Sequence, residues 1–158
     1  MTTTKANMTV NKNYFTMIQI RNGLNKIVEQ MNDEGFKPDV VMGINRGGCI
    51  PGIYLSHKLK IPHQVLDVRL RDHKSDPETG NVLDAILENK KVLIIDDIND
   101  TGATFEHIYE LFGEIKTIKY ASILHNTPSK FDKLDYWCYT INKEIHPVWI
   151  VFPWEEWQ

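Results

Sequence analysis

The sequence predicts an α/β protein built on an open, mostly parallel sheet flanked by helices, and three observations carry that prediction. Val92-Leu93-Ile94-Ile95 is an unbroken apolar block of strand length, as expected for a strand buried on both faces of a helix-covered parallel sheet. Short apolar runs alternate with stretches of helical periodicity along the whole chain, the pattern of βα units. The 158 residues suit one domain with a substantial core and leave little room for a second.

The elements follow in order. Residues 1–13 read as a loose polar leader without the apolar segment of a secretory signal, and 14–158 as a single domain. From 14 to 34, Phe15, Ile18, Leu24, Ile27, Val28 and Met31 recur at helical spacing, and Gly35 and Pro38 end the helix. Val40-Val41-Met42-Gly43-Ile44 is a strand entering the turn Asn45-Arg46-Gly47-Gly48. A helix over 50–59 and a strand over 63–70 come next. Residues 71–81, RDHKSDPETGN, are too polar to pack and form a long loop. A strand over 91–98, a helix over 101–112 and strands over 117–124 and 135–141 precede an aromatic tail.

Composition sets limits. Apolar residues are 42%, charged residues 25% and the net charge is −3, so there is no basic footprint for nucleic acid. No apolar stretch approaches the roughly 20 residues of a membrane span. Cys49 and Cys138 stand far apart with no CxxC pair, and are expected as small buried hydrophobes in a cytoplasmic protein.

The chemistry concentrates where the best strand ends, at Asp96-Asp97-Ile98-Asn99-Asp100-Thr101-Gly102-Ala103-Thr104. Ligands of open α/β sheets bind outside the carboxyl ends of strands. Three carboxylates there call for solvent, hydroxyls or a metal. Thr101, Gly102, Ala103 and Thr104 then open a helix, and free N–H groups with adjacent hydroxyls make a phosphate site. The small residues let the backbone approach closely. Carboxylates beside a phosphate cradle point to a sugar phosphate. The plain alternative is a helix capped by Asp100 or Thr101 beside a solvated acidic loop. GxxxxGK[ST] and GxGxxG are both absent, against an NTPase or a dinucleotide enzyme. Arg46, Gly47 and Gly48, between strand and helix, offer amides and a guanidinium to a second anion.

VLIIDDINDTGAT resembles the phosphoribosyl pyrophosphate (PRPP) motif of type I phosphoribosyltransferases, and the tail Trp149-Ile150-Val151-Phe152-Pro153-Trp154-Glu155 resembles the end of the bacterial xanthine–guanine members. The likeness runs in the same order from about residue 44 to 155. It implies the type I fold with a small C-terminal hood that binds the base, and a mobile cover over residues 71–81. It implies Mg²⁺ as cofactor, PRPP and a purine base (guanine, xanthine or hypoxanthine) as substrates, and a homodimer or homotetramer. Asp96 and Asp97 then bind the ribose hydroxyls, with Asp97 near the metal. Thr101 to Thr104 hold the 5′-phosphate, and Asp100 exchanges a proton with the base. Arg46, Gly47 and Gly48 hold pyrophosphate, with a cis peptide at Asn45–Arg46 as in purine members. Trp149 stacks on the purine and the Ile150 backbone reads its 2-position edge.

One position departs from the pattern. Members that bind 6-oxopurines end the preceding strand with a lysine, where this chain reads Leu124-His125-Asn126-Thr127-Pro128. Ungapped spacing places Asn126 there, and anchoring on the proline places Thr127. An amide donates to an oxygen or accepts from an amino group, and Lys130 substitutes only if the loop is remodelled. Two other functions share these motifs: a PRPP- or nucleotide-sensing regulator without chemistry, and transfer to a non-purine base.

Overall fold

The computed structural model describes residues 10–68 and 79–155. Strands β1 (Asn11–Tyr14), β2 (Val40–Ile44), β3 (His63–Leu66), β4 (Val92–Asn99), β5 (Ile118–Asn126), β6 (Tyr136–Ile141) and β7 (Val148–Val151) alternate with helices α1 (Met17–Glu34), α2 (Cys49–Leu59), α3 (Gly80–Leu87) and α4 (Ala103–Phe112). A short 3-10 turn, Pro153–Glu155, follows β7. Five strands form one sheet in the order β3-β2-β4-β5-β6, and every pairing in it is parallel. Among the described residues no helix is long and apolar enough to cross a membrane.

The apolar block of β4 explains the layering. Leu93 and Ile95 join one core with Ile20, Leu24, Ile27 and Met31 of α1 and Leu55 of α2. Val92 and Ile94 join the other, with Val82 and Ala85 of α3 and Phe105 and Ile108 of α4. Successive strand residues point to opposite faces, so four apolar residues in a row are the signature of a strand covered on both sides. All four are 0% exposed; at about 25 cal/mol per Å² this strand anchors both layers.

Helix α1 begins one residue after Thr16, whose side chain caps Gln19 N–H at 3.2 Å while Gln19 Oε1 returns to Thr16 N–H at 2.9 Å. This capping box fixes the helical phase, so Ile20, Leu24, Ile27 and Met31 face the core. Ile18, assigned to the apolar face by periodicity, is instead 73% exposed. Helix α3 has no counterpart among the sequence expectations, because eight residues are too few for its period to stand out.

Connections from β2 leave to one side of the sheet through α2 to β3, and those from β4 leave to the other through α4 to β5. The crevice between the carboxyl ends of β2 and β4 is therefore the topological switch point, where such sheets bind ligands.

Two segments far apart in sequence meet. β1 pairs in parallel with β7, Lys12 opposite Trp149 and Tyr14 opposite Val151. Residues 11–13 of the expected leader thus form a strand of the domain, since they hold backbone groups of the tail; residues 1–9 lie outside the described residues. So do residues 71–78 of the polar loop, while Asn81 lies in the first turn of α3 and donates to the Val65 carbonyl at 2.9 Å. Phe15 and Phe152, with ring centroids 5.9 Å apart, tie this ribbon to the main core. Both cysteines are free and only partly buried; burial pushes the Cys138 thiol up to about 12.

Candidate active site at the switch point

Two loops build the site, one after β2 and one after β4, and both are held by backbone contacts too close for a larger residue. In the first, the Asn45–Arg46 peptide is cis, and Asn45 N–H bonds the Leu66 carbonyl at 2.8 Å. A Cβ on Gly47 would lie 2.1 Å from Asp97 Oδ2, and one on Gly48 would lie 2.2 Å from the Ile95 carbonyl. Asp97 therefore rests directly on the turn after β2. Arg46 is exposed and its guanidinium has no ion-pair partner among the described residues, leaving its donors for an anion.

The second loop carries the acids. Asp96 and Asp97 are partly buried; Asp96 Oδ1 accepts the Asp97 N–H and Asp97 Oδ1 the Ile98 N–H, each at 2.8 Å. Burial pushes the Asp96 carboxyl well above the usual carboxylate range, and the Asp97 charge pushes the same way. Asp97 is raised too, first by burial, with the Glu155 carboxylate contributing and the Ile98 N–H opposing. Each carboxylate has one backbone N–H for its charge among the described residues, and a hydroxyl donor or a cation would stabilise the ionised pair further.

Gly102 precedes α4 in the left-handed region, φ 91° and ψ 0°, with no side-chain cap on the helix. Thr101 Oγ1 accepts the Ala103 N–H at 3.3 Å. The next first-turn N–H groups are without intrahelical acceptors by helix geometry, and point toward an incoming anion. The loop is clamped from below. Buried Asn99 donates to the Phe131 carbonyl at 3.2 Å and accepts from Ser129 Oγ at 3.0 Å, while Lys130 N–H bonds the Thr101 carbonyl at 3.0 Å.

The arrangement joins an uncapped helix start, a carboxylate pair and a guanidinium without an ion-pair partner among the described residues, on the two loops that follow β2 and β4. A family model for the phosphoribosyl transferase domain matches residues 11–157. The chain belongs to this family. It is 26% identical over 121 residues to the xanthine-guanine phosphoribosyltransferase of Idiomarina loihiensis, covering 73% of this chain and 70% of that protein. The crystal structure of a purine phosphoribosyltransferase from Pyrococcus horikoshii superposes with a TM-score of 0.70 at 31% identity, over 94% of this chain and 97% of that one. The Helicobacter pylori xanthine-guanine-hypoxanthine phosphoribosyltransferase shares the fold, with a TM-score of 0.70 at 17% identity over 92% and 94% of the two chains.

Within this phosphoribosyltransferase, the fold brings Gly47 against Asp97 and Gly48 against the Ile95 carbonyl, with Arg46 on the same turn, Asp96 beside Asp97 at the end of β4, and Asp100, Thr101, Gly102, Ala103 and Thr104 following β4 into α4. Trp149 is 60% exposed and Ile150 buried. Both sit on the β1–β7 ribbon, and Trp149 makes no hydrogen bond or ring contact with the two loops among the described residues. Asn126 is 7% exposed and its amide is turned onto protein groups: Nδ2 donates to the Asp100 carbonyl at 3.1 Å and to Asp100 Oδ1 at 3.3 Å. Thr127 N–H bonds the Ile141 carbonyl at 2.9 Å. Lys130 Nζ pairs with Glu106 on α4 at 3.2 Å. The sequence reading missed one residue that reaches the loop, Lys143, whose Nζ is 2.8 Å from Asp100 Oδ2. No local pattern marks it, since an Asn-Lys-Glu turn reads as ordinary surface.

Proposed function

We propose that the chain transfers the 5-phosphoribosyl group of PRPP to a ring nitrogen of a purine and releases pyrophosphate. The single observation that carries this reading is the contact of Asp97 with the Gly47 backbone. It brings a carboxylate suited to ribose hydroxyls against the turn that carries Arg46, a few residues before the uncapped start of α4.

In this reading Thr101 to Thr104 bind the 5′-phosphate, Asp96 and Asp97 the 2′- and 3′-hydroxyls, and Arg46 with the Gly47 and Gly48 amides the pyrophosphate. A purine N9 lone pair forms the bond to C1′ as the C1′–O bond to pyrophosphate breaks. Asp100 accepts the proton leaving N7, and the basic turn after β2 stabilises the charge gathering on the leaving group. Trp149 offers a face for the purine.

A magnesium ion fits the donor set only in part. Asp97 presents a hard, partly buried oxygen beside the proposed pyrophosphate turn, yet no group of three or more metal-ligating side chains occurs among the described residues. That suits an ion held through one or two carboxylates and completed by substrate oxygens and water. When bound, it neutralises pyrophosphate charge.

The test is incubation with PRPP, Mg²⁺ and a panel of nucleobases, with pyrophosphate release measured. Release with guanine, xanthine or hypoxanthine is expected. Release with a pyrimidine alone would overturn the purine assignment, and none with any base would favour a sensor. Asp100→Asn is expected to lower kcat by about 10²-fold or more while PRPP binding changes little; unchanged turnover removes Asp100 from the reaction.

A further inference from the structure

The register of β5 and β6 delivers an ammonium group to Asp100. Asn126 at the end of β5 lies beside Ile141 at the end of β6. Two residues further on, Lys143 N–H bonds Asn126 Oδ1 at 3.0 Å and Lys143 Nζ lies 2.8 Å from Asp100 Oδ2. Asn126 thus holds both partners, binding Asp100 through Nδ2 and the Lys143 backbone through Oδ1, and its amide is occupied by that task. Lys143 is different. Its side chain is 24% exposed, and an ammonium has three donors, of which one is used on Asp100.

We propose that Lys143 is the specificity-determining residue for the acceptor base, donating a hydrogen bond to an oxygen on C6. The inference rests on the phosphoribosyl-transfer reading, in which Asp100 takes the N7 proton. N7 and the C6 substituent lie on one edge of a purine, so a group paired with Asp100 is within reach of that substituent. A carboxylate facing N7–H with an ammonium beside it complements an oxopurine, where O6 is an acceptor. On adenine the same position carries an amino group whose hydrogens face the ammonium, and neither partner can accept. A built pair of this kind discriminates between bases by about 5- to 150-fold.

A merely structural role is the rival: Lys143 could serve only to hold Asp100. The two roles separate in a ratio, because any damage to Asp100 lowers turnover of every purine alike. Lys143→Met and Lys143→Arg are compared with the unaltered chain, measuring kcat/KM for hypoxanthine and adenine with PRPP and Mg²⁺. Binding of IMP and AMP is measured by calorimetry alongside. The expected result is a fall of about 10- to 100-fold in the hypoxanthine-to-adenine ratio and in the IMP-to-AMP affinity ratio for Lys143→Met, with partial recovery in Lys143→Arg. Unchanged ratios in Lys143→Met overturn the assignment, whatever happens to the absolute rates. An unaltered chain that uses adenine as well as hypoxanthine also overturns it and leaves the transferase reading intact. A chain that releases no pyrophosphate, yet prefers IMP to AMP through Lys143, removes the transferase reading and keeps the assignment.

Discussion

Replacing Gly47 with alanine puts one methyl group into the contact on which the site is built. The new Cβ would lie 2.1 Å from Asp97 Oδ2 and 2.5 Å from its Cγ, so the carboxylate or the turn after β2 must retreat by about 1 Å. A misplacement of that size costs on the order of 10²-fold in rate where groups must be aligned, or roughly 2.7 kcal/mol of transition-state stabilisation. The fold loses less. If Asp97 gives way, the main loss is its hydrogen bond to Ile98 N–H, worth about 1 kcal/mol, or about 2–4 °C in Tm for a domain of this size. The assay is kcat/KM for PRPP from pyrophosphate release, with a thermal melt of the same sample. Asp97→Ala and the double variant complete a cycle: if Gly47→Ala acts through Asp97, adding it to Asp97→Ala costs almost nothing further. Near-normal turnover in Gly47→Ala, or losses that simply add, would refute the reasoning.

Three further outcomes follow from the same geometry. Gly102→Ala combines a φ of 91° with a Cβ placed 2.5 Å from Phe131 N and from Ser129 Oγ; the left-handed penalty alone is about 1–2 kcal/mol, so a melt lowered by less than about 2 °C would contradict the clamp. His63 Nε2 is buried without a partner among the described residues, and burial lowers its pKa from the ordinary 6.5. Its neutral form is required by the fold, so stability is full above pH 6.5 and falls as pH drops below that value, where only the unfolded chain takes up the proton; His63→Gln is expected to flatten this slope in urea titrations, and an unchanged slope counts against it. Glu34 accepts from the Tyr136 hydroxyl and from Lys119 Nζ, bonds that lower its pKa below 4.5. Their contribution is present above pH 4.5 and lost as pH falls through the depressed value, so Glu34→Gln should cost at most about 1 kcal/mol at neutral pH, given its half-exposed side chain, and nothing at pH 2.

Legibility in the sequence followed the range of the interactions. The four apolar residues of β4, the acids at its end and the Thr-Gly-Ala-Thr start of α4 are contiguous, so strand, acidic loop and helix start were readable as one segment. Hydrophobic period and turn chemistry also placed β2, α2, β5 and β6 close to their observed bounds. Errors arose where a local signal had to compete with packing, as at Ile18, whose face depends on where Thr16 starts the helix. α3 was too short to declare a period.

What the sequence determined by itself was the parallel α/β layering and the acidic loop that leads from β4 into α4, because each depends on neighbours within a dozen residues. Tertiary structure decided the rest. Only folding brings Gly47 against Asp97, joins residues 11–14 to 148–151, and turns the Asn126 amide onto Asp100. The placement of Lys143 is the clearest case: it is set by the parallel register of β5 and β6, and register is fixed by which side chains the sheet must bury, a property of the packed layers that no single segment carries.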